Sequence, residues 1–235
     1  MKIFFPSTIF FLGLSFVLSF EPLYLQPKHD VYEKFQQVFH NKNSKIICNI
    51  GLAGTGKTIM SCQESIKSLI EKEKERIILT RPSISVENEE FGFLPGDLNQ
   101  KMDPWVKPCF DYFRPFLLKS PTLQKKIEVC PIAYMRGRTF DNSIVIVEEA
   151  QNTTPLQMKL ILTRIGKNSK IILNGDVTQS DLDGMNGLED FLNRLQLNYY
   201  DNNEIEKAGF TIIRYKTENI LRNSIIKTIT TLYND

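Results

Sequence analysis

Gly51-Leu52-Ala53-Gly54-Thr55-Gly56-Lys57-Thr58 follows the apolar run Lys45–Ile50 and opens into Ile59–Glu71. The run reads as a buried strand and the segment after the glycines as a helix, the setting that a phosphate-binding loop requires. Glycines let backbone N–H groups turn inward around an anionic phosphate chain, at angles that a Cβ would block. The helix N-terminus adds unpaired donors and a partial positive charge. Residues 51–58 are therefore predicted to cradle a nucleoside triphosphate. In that reading Lys57 reaches the β- and γ-phosphates and the Thr58 hydroxyl ligates Mg²⁺. A glycine-rich turn with no ligand is the alternative, and the flanking strand and helix weigh against it.

A second element supplies the partner that such a loop needs. In Ile144-Val-Ile-Val-Glu148-Glu149-Ala-Gln-Asn152 four apolar residues make a buried strand, and two carboxylates emerge at its C-terminal end. That edge of a parallel α/β sheet is where ligands bind. Glu148 is predicted to hold Mg²⁺, usually through water, and Glu149 to polarise the water that attacks the γ-phosphate. A third element, Leu173-Asn-Gly175-Asp176-Val-Thr-Gln179, again ends a short apolar strand. There Asp176 and Gln179 either sense the γ-phosphate or form an ordinary Gly-Asp turn.

The remaining chain repeats the alternation. Helices are expected over Val31–Phe39, Pro104–Leu118, Pro155–Ile165 (capped by Thr154), Gly187–Leu197 and Asn219–Tyr233. Strands are expected over Arg76–Thr80, Ile127–Cys130, Ser143–Val147, Lys170–Asn174 and Phe210–Tyr215, with Ser83–Asp103 irregular. This pattern indicates an α/β fold with a mostly parallel sheet covered by helices on both faces.

With 235 residues, 42% of them hydrophobic and 24% charged, the chain is long enough for one sizeable core. A net charge of +2 neither announces nor excludes nucleic acid. Cys48, Cys62, Cys109 and Cys130 form no Cys-x-x-Cys pair and read as buried thiols, and with His29 and His40 both near the N-terminus neither a His/Cys metal site nor a Ser–His–Asp hydrolase is supported.

Taken together, the motifs resemble those of PhoH-family ATPases, relatives of the motor core of superfamily 1 helicases. The matching residues are Gly51–Thr58, Arg81-Pro82, Phe91–Asp97, Ala133–Thr139, Glu149–Asn152, Leu162–Gly166 and Gly175–Gln179. The resemblance runs from about Pro27 to the C-terminus and implies a single RecA-like P-loop NTPase domain over residues 21–235. It implies ATP and Mg²⁺ as cofactors, ATP hydrolysis, assembly into a homo-oligomeric ring, and a link to phosphate starvation and RNA metabolism. ATP rather than GTP rests on the resemblance alone. One departure stands out: the family carries Asp-Glu where this chain has Glu148-Glu149. The extra methylene is expected to leave Mg²⁺ binding intact and to slow turnover.

Phosphoryl transfer commonly uses an arginine to neutralise charge on the transferring group. Arg136, Arg138, Arg164 and Arg222 are candidates, each with a surface ion pair as the alternative. In a ring, Arg164 would point into the adjacent subunit's site, and Arg222 would read the γ-phosphate. Arg136 and Arg138 offer contacts to single-stranded RNA or DNA, where Trp105, Tyr112 and Phe113 either stack on bases or belong to the core.

Two functions remain: an ATPase coupled to RNA or DNA remodelling, and an ATP-dependent ring or switch acting on a protein partner. A small-molecule kinase fits less well, because the acidic pair suits attack by water. Helicase activity would need a ring, because one chain supplies a single motor domain. Met1–Phe20, with Lys2 ahead of an apolar stretch, reads as a targeting signal cleaved after Ser19, or as a membrane anchor. The first reading leads through a translocon to an organelle matrix, such as a plastid, where ATP and Mg²⁺ are supplied. The second leaves the domain at a membrane surface.

Overall fold

The computed structural model describes residues 30–82 and 98–220, with side chains from residue 107 onward in the second span. The leader, the Phe91–Asp97 motif, Arg222 and the expected helix beyond Asn219 lie outside the described residues, as does the Trp105 side chain.

Twelve elements carry the fold: α1 (Asp30–His40), β1 (Ile46–Ile50), α2 (Lys57–Ile70), β2 (Arg76–Thr80), α3 (Leu98–Lys119), β3 (Ile127–Val129), β4 (Ser143–Val147), α4 (Pro155–Leu162), β5 (Lys170–Gly175), α5 (Gly187–Asn198), α6 (Asn202–Lys207) and β6 (Phe210–Arg214). The strands form one six-stranded sheet in the order β3-β2-β4-β5-β1-β6, and each described pairing is parallel.

Parallel strands must bury both faces, so their residues are apolar in runs rather than in alternation. The two faces nevertheless separate with period two. Ile47, Ile77, Leu79, Ile144, Ile146 and Ile172 pack with Phe35, Ile66 and Phe113 beneath α1, α2 and α3. Cys48, Ile78, Val145, Val147, Ile171 and Leu173 pack on the other face with Met158, Leu188, Leu192 and Ile205 from α4, α5 and α6. Each such fully buried aliphatic side chain stabilises the fold by about 1.5–3 kcal/mol. The four cysteines are free and buried.

The connections place the site. From β1 the chain crosses to β2, beyond β5 and β4, whereas from β5 it passes over β1 to β6. The loops after β1 and β5 therefore leave in opposite directions and open a crevice at their carboxyl ends. β5 lies between β1 and the acid-bearing β4.

Some boundaries differ from those expected. α3 begins at Leu98, so residues 98–103 are helical rather than irregular, and the helix runs on through Pro104, Pro108 and Pro115. A proline removes one backbone bond without ending a helix that is anchored by a buried face, here by Cys109, Phe113 and Phe116. α4 stops at Leu162, and Ile165 instead pairs in parallel with Phe140. Asn219 ends a short 3-10 turn, Thr217–Asn219. α6 was not foreseen: it is capped by Asp201 and buries only Ile205, too little for a period to register. Among the described residues, no helix is long and apolar enough to cross a membrane.

Candidate functional site

α2 starts where the glycine loop ends. Its N-cap, Gly56, has φ 87° and ψ 9°, in the left-handed region, and Gly54 has φ 81°. A residue with a Cβ is strained at such angles, so the glycines are what turn the loop over the helix end. Two further bonds brace the loop: the Thr55 hydroxyl donates to the Leu52 carbonyl at 2.8 Å, and the buried Tyr32 hydroxyl lies 2.8 Å from the Thr55 carbonyl. Lys57 Nζ folds back on its own loop and donates to the carbonyls of Gly51 at 2.5 Å and Leu52 at 2.8 Å.

A cavity of about 300 Å³ opens over this loop, lined by Gly54, Lys57, Thr58, Glu148, Glu149, Asp176 and Gln179 among others. Residues of the three sequence elements, some 120 positions apart at the extremes, thus converge on one crevice. Thr58 Oγ1 donates to Glu148 Oε2 at 2.8 Å, and Asn174 Nδ2 donates to Glu148 Oε1 at 2.6 Å. Burial pushes the Glu148 carboxyl above its ordinary value. The bonds from Asn174 and Thr58 oppose that, neighbouring Glu149 adds to it, and Lys57 opposes it again.

Behind Glu148 lies a polar relay that the sequence reading did not single out. Asn49 is fully buried in β1, on the face that meets α2. Its Nδ2 donates to Asn174 Oδ1 at 2.9 Å, and Ser61 Oγ on α2 lies 3.0 Å from the same oxygen. A buried amide costs stability unless it is bonded; here the Nδ2 side is bonded to the residue that orients Glu148, while the Asn49 Oδ1 has no partner.

Glu149 stands at φ 51° and ψ 46°, a left-handed conformation that is uncommon for a residue with a Cβ. Gln151, 2% exposed, holds it there. Gln151 Nε2 donates to Glu149 Oε2 at 2.7 Å and to the Gln179 carbonyl at 3.2 Å, while Gln151 Oε1 accepts from the Asp176 N–H at 3.0 Å. One side chain therefore ties the acidic turn to the loop after β5. Gly175 permits this approach, because a Cβ there would meet Leu188 Cδ2 at 2.5 Å and Gln151 Oε1 at 3.0 Å. Asp176 accepts from Thr178 through Oδ1, and its buried Oδ2 has no partner.

Arg136, Arg138 and Arg164 lie elsewhere. Arg138 forms a bidentate pair with Glu128, at 2.5 and 3.0 Å, and its guanidinium sits 4.7 Å from the centre of the Phe140 ring. Arg164 donates to the Arg138 carbonyl at 3.3 Å, beside the Phe140–Ile165 bridge at the amino-terminal edge of the sheet. Neither is among the described residues lining the cavity. Arg136 is exposed, next to Gly137 at φ 75°. Of the aromatic residues, Phe113 is core, whereas Tyr112 lines the cavity over the glycine loop.

Among the described residues, no group of three or more His, Cys, Asp or Glu side chains is placed to hold a metal. Thr58 and Glu148 offer one hydroxyl and one carboxylate in contact, a donor set that suits Mg²⁺ when phosphate oxygens and water complete its shell. The residues present fit that ion.

An all-parallel sheet, a glycine loop at a helix N-terminus, and a carboxylate pair one strand away define a RecA-like P-loop nucleotide-binding fold. The family model described as PhoH-like protein matches residues 24–234, and the chain belongs to that family. Protein PhoH of Escherichia coli is 40% identical over 194 residues, covering 78% of this chain and 51% of the relative. A PhoH-like protein of Synechocystis is 53% identical over 137 residues, covering 57% and 42%. The chain spans about half the length of the curated relatives it matches. Among solved structures, the Pif1 helicase from Candida albicans aligns over 81% of this chain and 41% of its own at 14% identity, with a TM-score of 0.38.

Proposed function

We propose that this chain binds ATP with Mg²⁺ at residues 51–58, hydrolyses it, and couples turnover to single-stranded RNA or DNA. The observation that carries the reading is the 2.8 Å contact between the Thr58 hydroxyl and Glu148, with Glu149 beside it on the same cavity wall. Thr58 and Glu148 would hold Mg²⁺, which when bound neutralises phosphate charge. Glu149, fixed by Gln151, orients the attacking water and takes up its proton. Lys57 leaves the two loop carbonyls and turns to the phosphates, exchanging neutral acceptors for charged ones. Gln179 and Asp176 face the end of the phosphate chain.

Nucleic-acid coupling draws support from Arg136, exposed at a glycine turn, where a cation meets a phosphate backbone at little desolvation cost. Ring assembly draws support from Arg164, which lies on the edge of the sheet away from its own P-loop. The deciding experiment measures ATP hydrolysis with and without single-stranded RNA, using Lys57→Ala as the control. Stimulation by RNA, lost in that variant, is expected. An unstimulated rate would remove the nucleic-acid coupling and leave the ATPase.

A further inference from the structure

The amino-terminal edge of the sheet carries a second cavity, of about 410 Å³, which the nucleotide chemistry does not use. It lies between the end of α1, the turn after α2, and the first residues of β1 and β5. Lys42, Lys45, Lys74 and Lys170 line it, and among the described lining residues Glu73 is the carboxylate they face.

The lysines are arranged with unused donors. Lys170 is 6% exposed, and its Nζ donates to the carbonyls of Asn41, at 2.7 Å, and Ser44. Lys74 Nζ donates to the carbonyl of Asn168 at 2.7 Å and to its Oδ1 at 2.9 Å. An ammonium group has three protons, so each retains one. Lys42 and Lys45 are exposed at the mouth. Glu73 accepts from Ser68 Oγ at 3.0 Å. His40 also lines the cavity, but it is turned to Glu64 of α2 at 3.0 Å, and Gln36 donates to that same carboxylate at 2.8 Å.

The cations therefore face one another with too little negative charge between them. Burial, and then the charges of Lys74 and Lys45, bring Lys170 down to about 8, while Glu73 opposes. Lys74 is lowered as well, by burial first and Lys45 second, again against Glu73. An entering anion would offset both the cost of burying these cations and their mutual repulsion. Because the deepest ammonium is almost wholly enclosed, the anion must enter end-on. The middle of a phosphodiester chain has a single charge and two flanking sugars, and does not fit that approach. A terminal phosphate carries nearly two charges and three free oxygens.

We propose that this cavity is a receptor for a terminal phosphate group, from either a free pyrophosphate-type anion or the phosphorylated end of a nucleic acid strand. It is separate from the P-loop site. β5 connects the two, with Lys170 at one cavity and Asn174 at the other, about 13 Å apart along an extended strand.

The test titrates pyrophosphate by calorimetry into the full chain carrying Lys57→Ala, without Mg²⁺, so that the P-loop contributes little. One bound equivalent is expected. The further substitution Lys45→Gln should weaken it about tenfold, the loss of one charge-assisted contact, while the melting temperature stays unchanged. Lys45 is the position of choice because it is exposed, whereas Lys170→Met would strand two carbonyls. No binding, or binding indifferent to Lys45→Gln, overturns the proposal. A single-stranded oligoribonucleotide with a 5′-phosphate is then compared with its 5′-hydroxyl form. A preference for the phosphate that Lys45→Gln abolishes assigns the ligand to a strand end, and equal binding assigns it to the free anion. Failure of the P-loop reading is distinct, since it would show as ATP binding untouched by Lys57→Ala.

Discussion

Gln151 Nε2 lies 2.7 Å from Glu149 Oε2, so a buried amide holds the carboxylate that faces the phosphate site. Because Glu149 sits in a left-handed conformation, it needs such a hold to stay aimed. Gln151→Ala should lower kcat about a hundredfold, the usual effect of a misplaced reactive group, with ATP affinity little changed. Steady-state kinetics beside equilibrium binding of a fluorescent ATP analogue separates the two. A drop confined to affinity would assign Gln151 to the binding loop instead.

In the proposed reading, Glu149→Gln removes the acceptor for the water's proton and leaves the phosphate cradle intact. Turnover is expected to fall by about 10²–10⁴-fold while bound ATP persists. Hydrolysis at the parental rate in single-turnover measurements would show that another group activates the water.

Asn174 serves both the site and the core, because it donates to Glu148 while accepting from Asn49. Asn174→Leu should raise the Mg²⁺ concentration for half-maximal activity about tenfold, as loss of a supporting bond to a metal ligand does. It should also cost about 1 kcal/mol of stability, because the Asn49 amide would keep only its longer bond to Ser61 Oγ, at 3.3 Å. A Mg²⁺ titration and urea unfolding read the two effects. An unaltered Mg²⁺ requirement would break the link to Glu148.

Lys170 makes stability depend on pH. Its folded-state value, about 8, lies below the ordinary 10.5, so between those values the unfolded chain binds more protons. Stability contributed by this group is therefore lowest below pH 8 and is regained as pH rises toward 10.5. Relative to Lys170→Met, the parent should gain roughly 3 kcal/mol at most between pH 7 and 10.5. Parallel urea titrations across that range check it, and coincident slopes would mean that Lys170 is not perturbed.

Much of the P-loop crevice was legible in the sequence. The runs Arg76–Thr80 and Ser143–Val147 are strands with the expected bounds, because strands buried on both faces are written as continuous apolar stretches. Thr154 caps α4 through a box with Gln157, a pairing visible as Thr-x-x-Gln. By contrast, Gln151 and Asn174 lie inside motifs that give them no role, and Asn49 carries no signal. A single buried amide has no period, and its partners lie up to 125 positions away.

Local chemistry in the chain determined the phosphate loop, the alternation of strand and helix, and which carboxylates end up at a strand's tip, since each depends on neighbours a few residues apart. Only the folded arrangement decided that β5 separates the loop strand from the acid strand, that one amide ties Glu149 to the turn after β5, and that four lysines meet at the far edge. Those outcomes follow from strand order and crossover direction, which bring together side chains whose separation along the polymer says nothing about their separation in space.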